Sequence, residues 1–160
     1  MNGQPVLLMV ARALDEHGLE AIMIGNAAAA LQGAPVTTVD VDFLFRKTPA
    51  NLKKLKAIAS SLGAMLLRPF YPASGLYRLM RDEDSLQLDF MATIHGVRSF
   101  ESLRSRAKRM EFGGHPLLVA DLADIIKSKR AAGRPRDRAV VRVLEKTLDE
   151  KREGFSKEQA

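Results

Sequence analysis

Apolar residues recur at helical spacing at Val6, Met9, Val10, Ala13 and Leu14, and Gly18 is placed to close that helix. Residues 20–24 (EAIMI) form a short apolar run ending at Gly25, the pattern of a buried strand. The alanine-rich stretch 26–31 predicts a short helix with Asn26 as its cap, and Gly33, Ala34 and Pro35 break the chain after it. Residues 37–45 alternate and favour β-structure, so they predict a second strand. Pro49 opens a helix that runs to about Ser61, with Gly63 beyond it. Residues 76–80 and 86–91 read as strands joined through a tight turn at Asp82, Glu83 and Asp84, and residues 100–107 as a short helix. Residues 109–112 and 117–119 flank Gly113-Gly114 as a hairpin. A helix over 121–132 ends at Gly133, and Pro135 starts another that reaches about Lys151, leaving a frayed polar tail from Glu153. Interleaved strands and helices without repeats or linkers predict an α/β (α+β) fold. The expected architecture is a mixed twisted sheet flanked by helices with a C-terminal helical pair, one domain over 1–152 with a polar tail over 153–160.

Composition narrows the chemistry. A chain of 160 residues with 46% hydrophobic and 28% charged residues can bury its own core. With no cysteine, a disulfide framework, a thiolate zinc site and a cysteine nucleophile are all excluded. The apolar run near the N-terminus has no basic residue ahead of it and is followed by Arg12 and Asp15, unlike a signal peptide. The longest charge-free stretch, 21–39, contains Gly25, Asn26, Gln32, Gly33 and Pro35, unlike a membrane span. A soluble cytoplasmic domain is expected. Charge is uneven: residues 1–97 carry 9 Lys+Arg and 9 Asp+Glu, whereas residues 98–160 carry 16 and 10, the whole net charge of +6. Such a basic C-terminal part suits an anionic partner such as RNA, and it equally suits solvated helices with ion pairs along their faces.

The carboxylates are the unusual feature. Thr38, Asp40 and Asp42 stand at period two, so their side chains share one face of the predicted strand, with Val39, Val41 and Phe43 on the other. Residues i and i+2 lie about 6.5 Å apart, so two carboxylates there repel by roughly 2–3 kcal/mol at an effective dielectric of about 20. A divalent cation relieves that cost, and magnesium favours a few carboxylates together with water and substrate phosphates. Asp89 lies in another apolar strand segment (LQLDF). If that strand pairs beside the first, three carboxylates converge, as two-metal phosphoryl transfer requires. Ahead of them, a strand ending in Gly25-Asn26 leads directly into a helix start, where backbone N–H groups attract phosphate.

These parts occur in order as IGNAAAALQGAPVTTVDVD over residues 24–42, and DLADIIKSKRAAGRPRD follows over 121–137. The arrangement resembles the nucleotidyltransferase superfamily related to DNA polymerase β, whose signature is a Gly-Gly or Gly-Ser turn followed by D-x-D. It looks closest to a small bacterial branch that includes the abortive-infection (type IV) toxin nucleotidyltransferases. Asn26 stands where that branch has a second Gly or Ser, and Val36 where many members have Arg. The resemblance covers roughly residues 4–148. It implies that Asp40, Asp42 and Asp89 hold two Mg2+ ions and that Asp89 also activates an acceptor hydroxyl. It also implies that Gly25, Asn26 and Thr38 contact the nucleotide, that Lys129 and Arg134 contact phosphate, and that Asp137 orients one of them. Read from the residues alone, Lys129, Arg134 and Asp137 fit a helix-to-helix salt-bridge cluster equally well.

His17, His95 and His115 lack metal-ligand spacing, and neither a G-x-S-x-G elbow nor a P-loop occurs. The leading expectation is a magnesium-dependent transferase moving NMP from an NTP to an acceptor hydroxyl. RNA, in particular tRNA, or a protein is the expected acceptor, with a cognate toxin or antitoxin protein as a further partner and no membrane. The alternative is a binding module of the same fold, antitoxin-like or RNA-binding, with little or no catalysis. A helix-turn-helix regulator using Arg134, Arg136 and Arg138 is a more distant alternative.

Overall fold

The computed structural model describes residues 3–37, 40–68 and 75–159, with side chains described between 6 and 154. In chain order the elements are α1 (Gly3–His17), β1 (Ala21–Ile24), α2 (Gly25–Leu31), β2 (Val41–Phe45), α3 (Pro49–Leu62), β3 (Met65–Leu67), β4 (Leu76–Arg81), a 3-10 turn (Asp82–Asp84), β5 (Leu86–Met91), α4 (Phe100–Arg106), β6 (Lys108–Phe112), β7 (His115–Val119), α5 (Leu122–Ala132) and α6 (Pro135–Gln159). The strands make one mixed sheet in the order β3-β4-β5-β2-β1-β7-β6. None of the described helices is long and apolar enough to cross a membrane.

Strand alternation divides the sheet into two faces. Phe43 and Phe45 of β2, Leu88 and Phe90 of β5, and Tyr77 and Leu79 of β4 share one face and are buried. Phe43 stacks on Phe90 with ring centroids 5.0 Å apart, and Phe45 meets Tyr77 and Phe90 edge-on at 6.0 and 5.8 Å. These rings bury large areas at low conformational cost and make the centre of the sheet rigid. Ile24, Asp42 and Asp89 lie in register across the opposite face. On that side α2 packs against β1 and β2, and α5 packs against α2.

Glycine and proline punctuation sets most helix ends. Pro49 sits in the first turn of α3 behind the Thr48 cap, and Gly63 closes the helix in the left-handed conformation at φ +64. Asp121 caps α5 by accepting from Ala123 N, and Gly133 ends it at φ +63. The expectations for α1, α3, α4, the β4–β5 pair, the β6–β7 hairpin and α5 agree with these bounds to within a few residues.

Three expectations need correction, and one strand had none. Asn26 does not cap α2: the helix begins at Gly25, Ile24 occupies the cap position, and no side chain caps it. The second strand starts at Val41 rather than at 37; Asp40 sits in the bend before it, and Thr38 and Val39 lie outside the described residues. The short edge strand β3 carried no sequence signal, because three residues cannot display an alternation. The segment from Glu153 is helical to Gln159, because a polar, helix-favouring sequence continues α6 without a breaker apart from Gly154.

Gln32 joins the helices over the face that carries Asp42 and Asp89. It is 6% exposed; its Nε2 donates to Ala28 O at 3.0 Å and Ala120 O at 2.8 Å, and its Oε1 accepts from Leu122 N at 3.2 Å. It therefore staples the end of α2 to the loop that leads into α5. Gln32→Leu is expected to lower stability by about 2–4 kcal/mol in urea unfolding, because buried backbone groups lose their partners. A variant as stable as the parent would mean that this staple is dispensable.

Candidate active site

The parallel pairing of β2 with β5 sets Asp42 directly opposite Asp89. Asp40 joins them from the bend at the start of β2, and one carboxylate oxygen from each of the three lies within 4.8 Å of the others. Hydrophobic neighbours on the reverse face hold both strands flat against the aromatic core, so the carboxylates cannot spread apart by moving the backbone. At 4.8 Å an ionised pair repels by about 3 kcal/mol at an effective dielectric of about 20. Burial, with the charges of Asp40 and Asp89 added, pushes the Asp42 carboxyl up to about 7, against the opposing pull of Lys129 and Arg78. Three oxygen donors converging with excess negative charge fit a hard divalent cation.

Gly25 is required where it stands. Its φ is +69, and a Cβ added there would lie 3.1 Å from Asp42 Oδ2, so the turn into α2 passes directly over the carboxylate. Next to it, Asn26 Oδ1 is the one buried side-chain polar atom without a hydrogen-bond partner among the described residues.

Lys129 approaches from α5. Ile125 and Ile126 bury one face of that helix, and Lys129, three and four residues later, falls on the same side. Its side chain is 14% exposed. Burial pushes the Lys129 amine down, while Asp137 and Asp42 pull it back up. Asp137, 2% exposed, accepts from Arg134 Nε at 2.7 Å, from Arg134 Nη2 at 3.3 Å and from Arg134 N at 3.3 Å, and lies 4.0 Å from Lys129 Nζ. Burial acts to raise the Asp137 carboxyl, and Arg134, through hydrogen bonding and charge, overcomes it and leaves it below the usual range. The three tail residues thus form the salt-bridge cluster, and Lys129 within it also projects its charge onto Asp42.

Two further residues belong to the site. Arg78 of β4 pairs in register with Asp89 and grips it through Nε to Oδ1 at 2.8 Å and Nη2 to Oδ2 at 3.1 Å. Gln87 Nε2 lies 3.3 Å from Asp89 Oδ2 and 3.4 Å from Asp40 Oδ2. Arg78 in LYRLMR was legible as a charge interrupting an apolar strand, and Gln87 as a polar residue two before Asp89; their partners depend on strand pairing. Of the residues singled out in the sequence, Asp40, Asp42, Asp89, Gly25 and Lys129 meet here with Asn26 beside them. Arg134 and Asp137 adjoin through Lys129, and Thr38 lies outside the described residues.

A family model described as "Nucleotidyl transferase of unknown function (DUF2204)" matches residues 4–159. Searched against curated proteins, the sequence has no match. Among solved structures, ANT(2'')-Ia in complex with adenylyl-2''-tobramycin is similar with a TM-score of 0.65 at 17% identity, over 100% of both chains. The lincosamide antibiotic adenylyltransferase LnuA, lincomycin-bound, is similar at 0.61 and 9% identity, over 87% of this chain and 94% of that one. An antigenic nucleotidyltransferase-like protein from Paracoccidioides brasiliensis is similar at 0.60 and 16% identity, over 91% and 75%. At these identities the likeness is one of fold.

The protonation of Asp42 sets a pH dependence. Below about 7 the metal-free site holds a proton that a cation must displace. Mn2+ affinity is therefore expected to fall about tenfold per pH unit below 7 and to level off above it, measured by calorimetric titration. The linked stability runs the other way. With a carboxyl raised from 3.8 to about 7, the folded state holds the proton more tightly than the unfolded chain, so metal-free stability falls as pH rises through that window. Asp42→Asn should raise the metal-free Tm at pH 8 and abolish both dependences; a pH-independent Mn2+ affinity in the parent protein would contradict this account.

Proposed function

The chain belongs to the nucleotidyl transferase family DUF2204, and we propose that it transfers a nucleoside monophosphate from an NTP to an acceptor hydroxyl at the Asp40–Asp42–Asp89 cluster. The single observation that carries this reading is the convergence of Asp42 and Asp89, from two parallel-paired strands, with Asp40 from the bend before β2, beneath the Gly25 turn. Asp40 and Asp42 would hold Mg2+, two ions being bound together with Asp89. When bound, the ions would neutralise phosphate charge and align the triphosphate. The backbone of Gly25 and Asn26 at the start of α2 would hold the β- and γ-phosphates, and Thr38 would be a further nucleotide contact, as the sequence resemblance implies. Lys129, half-buried and steered by Asp137, would meet charge developing on the phosphates, and Arg134 would hold Asp137 in place. Asp89 would take the acceptor's proton as the new O–P bond forms at the α-phosphorus and pyrophosphate departs.

For the acceptor we favour the hydroxyl end of an RNA, tRNA in particular, within a toxin–antitoxin setting. Support comes from the positive balance of residues 98–160 and from the exposed Arg136, Arg138, Arg142 and Lys146 along α6. A protein hydroxyl is the other acceptor expected from the sequence, and small antibiotics named with the structural neighbours extend the panel to be tested. A second reading, a binding module with little catalysis, is favoured by one observation. Asn26 presents a buried, unpartnered acceptor oxygen at the turn where phosphates need donors.

Incubation with each α-labelled NTP, Mg2+, total tRNA and separately a panel of hydroxyl-bearing antibiotics should place label on RNA. Asp42→Ala is expected to reduce transfer by about a thousandfold or more while its far-ultraviolet dichroism is unchanged. Transfer retained in the folded variant would refute the mechanism. RNA binding without any transfer, insensitive to loss of Asp40, would select the binding module.

A further inference from the structure

We propose that Arg78 is a positioning residue, an internal cation that locks the Asp89 carboxylate in place and holds down the affinity of the cluster for a divalent ion. The inference rests on the reading of Asp40, Asp42 and Asp89 as one metal-binding site for phosphoryl transfer.

The placement follows from register. Arg78 on β4 is the antiparallel partner of Asp89 on β5, and Gln87, two residues before Asp89, shares its face. The guanidinium engages both oxygens of Asp89, at 2.8 and 3.1 Å, and the Gln87 amide adds a third donor at 3.3 Å. A carboxylate offers about four lone-pair positions. Among the described residues these donors take all but one, which is on Oδ1. Asp89 therefore reaches a hydroxyl or an ion through Oδ1 alone for as long as Arg78 stays. The same contacts keep a side chain that is only 6% exposed in a single orientation. A planar two-pronged donor does this; the single ammonium of a lysine cannot satisfy both oxygens at once.

The charge has a second consequence. Arg78 acts electrostatically on Asp40 and Asp42 as well as on Asp89, and so supplies part of the positive charge that a divalent ion would bring. Gln87 reinforces this by reaching from Asp89 to Asp40 Oδ2 at 3.4 Å, between the very groups an ion would bridge. The nucleotide-free protein is thus partly compensated from within. A triphosphate, bringing its own negative charge, shifts the balance back toward cation binding.

The test uses the full chain with Arg78→Met, which keeps the stem and removes the charge, and Arg78→Lys, which keeps the charge and removes the fork. Thermal melts establish that each variant is folded. Mn2+ binding without nucleotide, followed by electron paramagnetic resonance, is expected to tighten about tenfold in Arg78→Met and to change less than about twofold in Arg78→Lys. For NMP transfer, kcat should fall about thirtyfold or more in both variants, with KM for the NTP within about threefold of the parent. Unchanged or weaker Mn2+ binding by folded Arg78→Met overturns the inference, and so does a parental kcat in Arg78→Lys, which decides alone if Arg78→Met fails to fold. If the parent protein transfers no NMP, the Mn2+ titration still decides the role of Arg78, and only the proposed function falls.

Discussion

Three carboxylates forced together on one face of a sheet are the constraint around which this molecule is organised. Their mutual repulsion would unpack a flexible strand pair. Here the strands are pinned from behind by Phe43, Phe45, Phe90 and Tyr77, whose stacked and edge-on contacts fill the reverse face. Hydrophobic burial on one side of β2 and β5 thus maintains electrostatic strain on the other. Burial first, and the charges of Asp40 and Asp89 after it, raise the Asp42 carboxyl.

Compensation comes from outside the two strands. Arg78 reaches across from β4 to Asp89, and Lys129 of α5 acts on Asp42 through its charge, so two cations carried by different elements answer the cluster. Each cation is itself restrained, Arg78 by its fork on Asp89 and Lys129 by Asp137, which Arg134 holds in turn. Gln32 links the end of α2 to the start of α5, which ties the helix behind the glycine turn to the helix that carries Lys129. A site for phosphoryl transfer needs this kind of rigidity, since its chemistry is mostly positioning and charge stabilisation. Membership of a nucleotidyl transferase family accords with that architecture.

How legible each part was depends on the range of the interaction that makes it. Helix ends at Pro49, Gly63, Asp121 and Gly133 follow from local backbone chemistry, and they stand where the residues indicated. Asn26 misled because capping propensity is local while the helix start is set by Gly25, whose positive φ lets the chain turn over Asp42. The strand expected from residue 37 begins later because it is bounded by its pairing partners rather than by its own alternation. The tail expected to fray continues as helix because the polar sequence there, Gly154 apart, keeps a high helix propensity.

From the sequence alone came the candidate carboxylates, the glycine turn, the basic C-terminal helices and the alternation that gives β2 and β5 one apolar face each. These are consequences of residue type and of periods two and 3.6, which act over a few positions. Tertiary structure decided that β2 and β5 lie parallel with Asp42 opposite Asp89, that Arg78 rather than solvent answers the third carboxylate, and that Lys129 belongs to both the tail cluster and the site. Strand order and register are chosen by the packing of the whole sheet, so no window along the chain contains them.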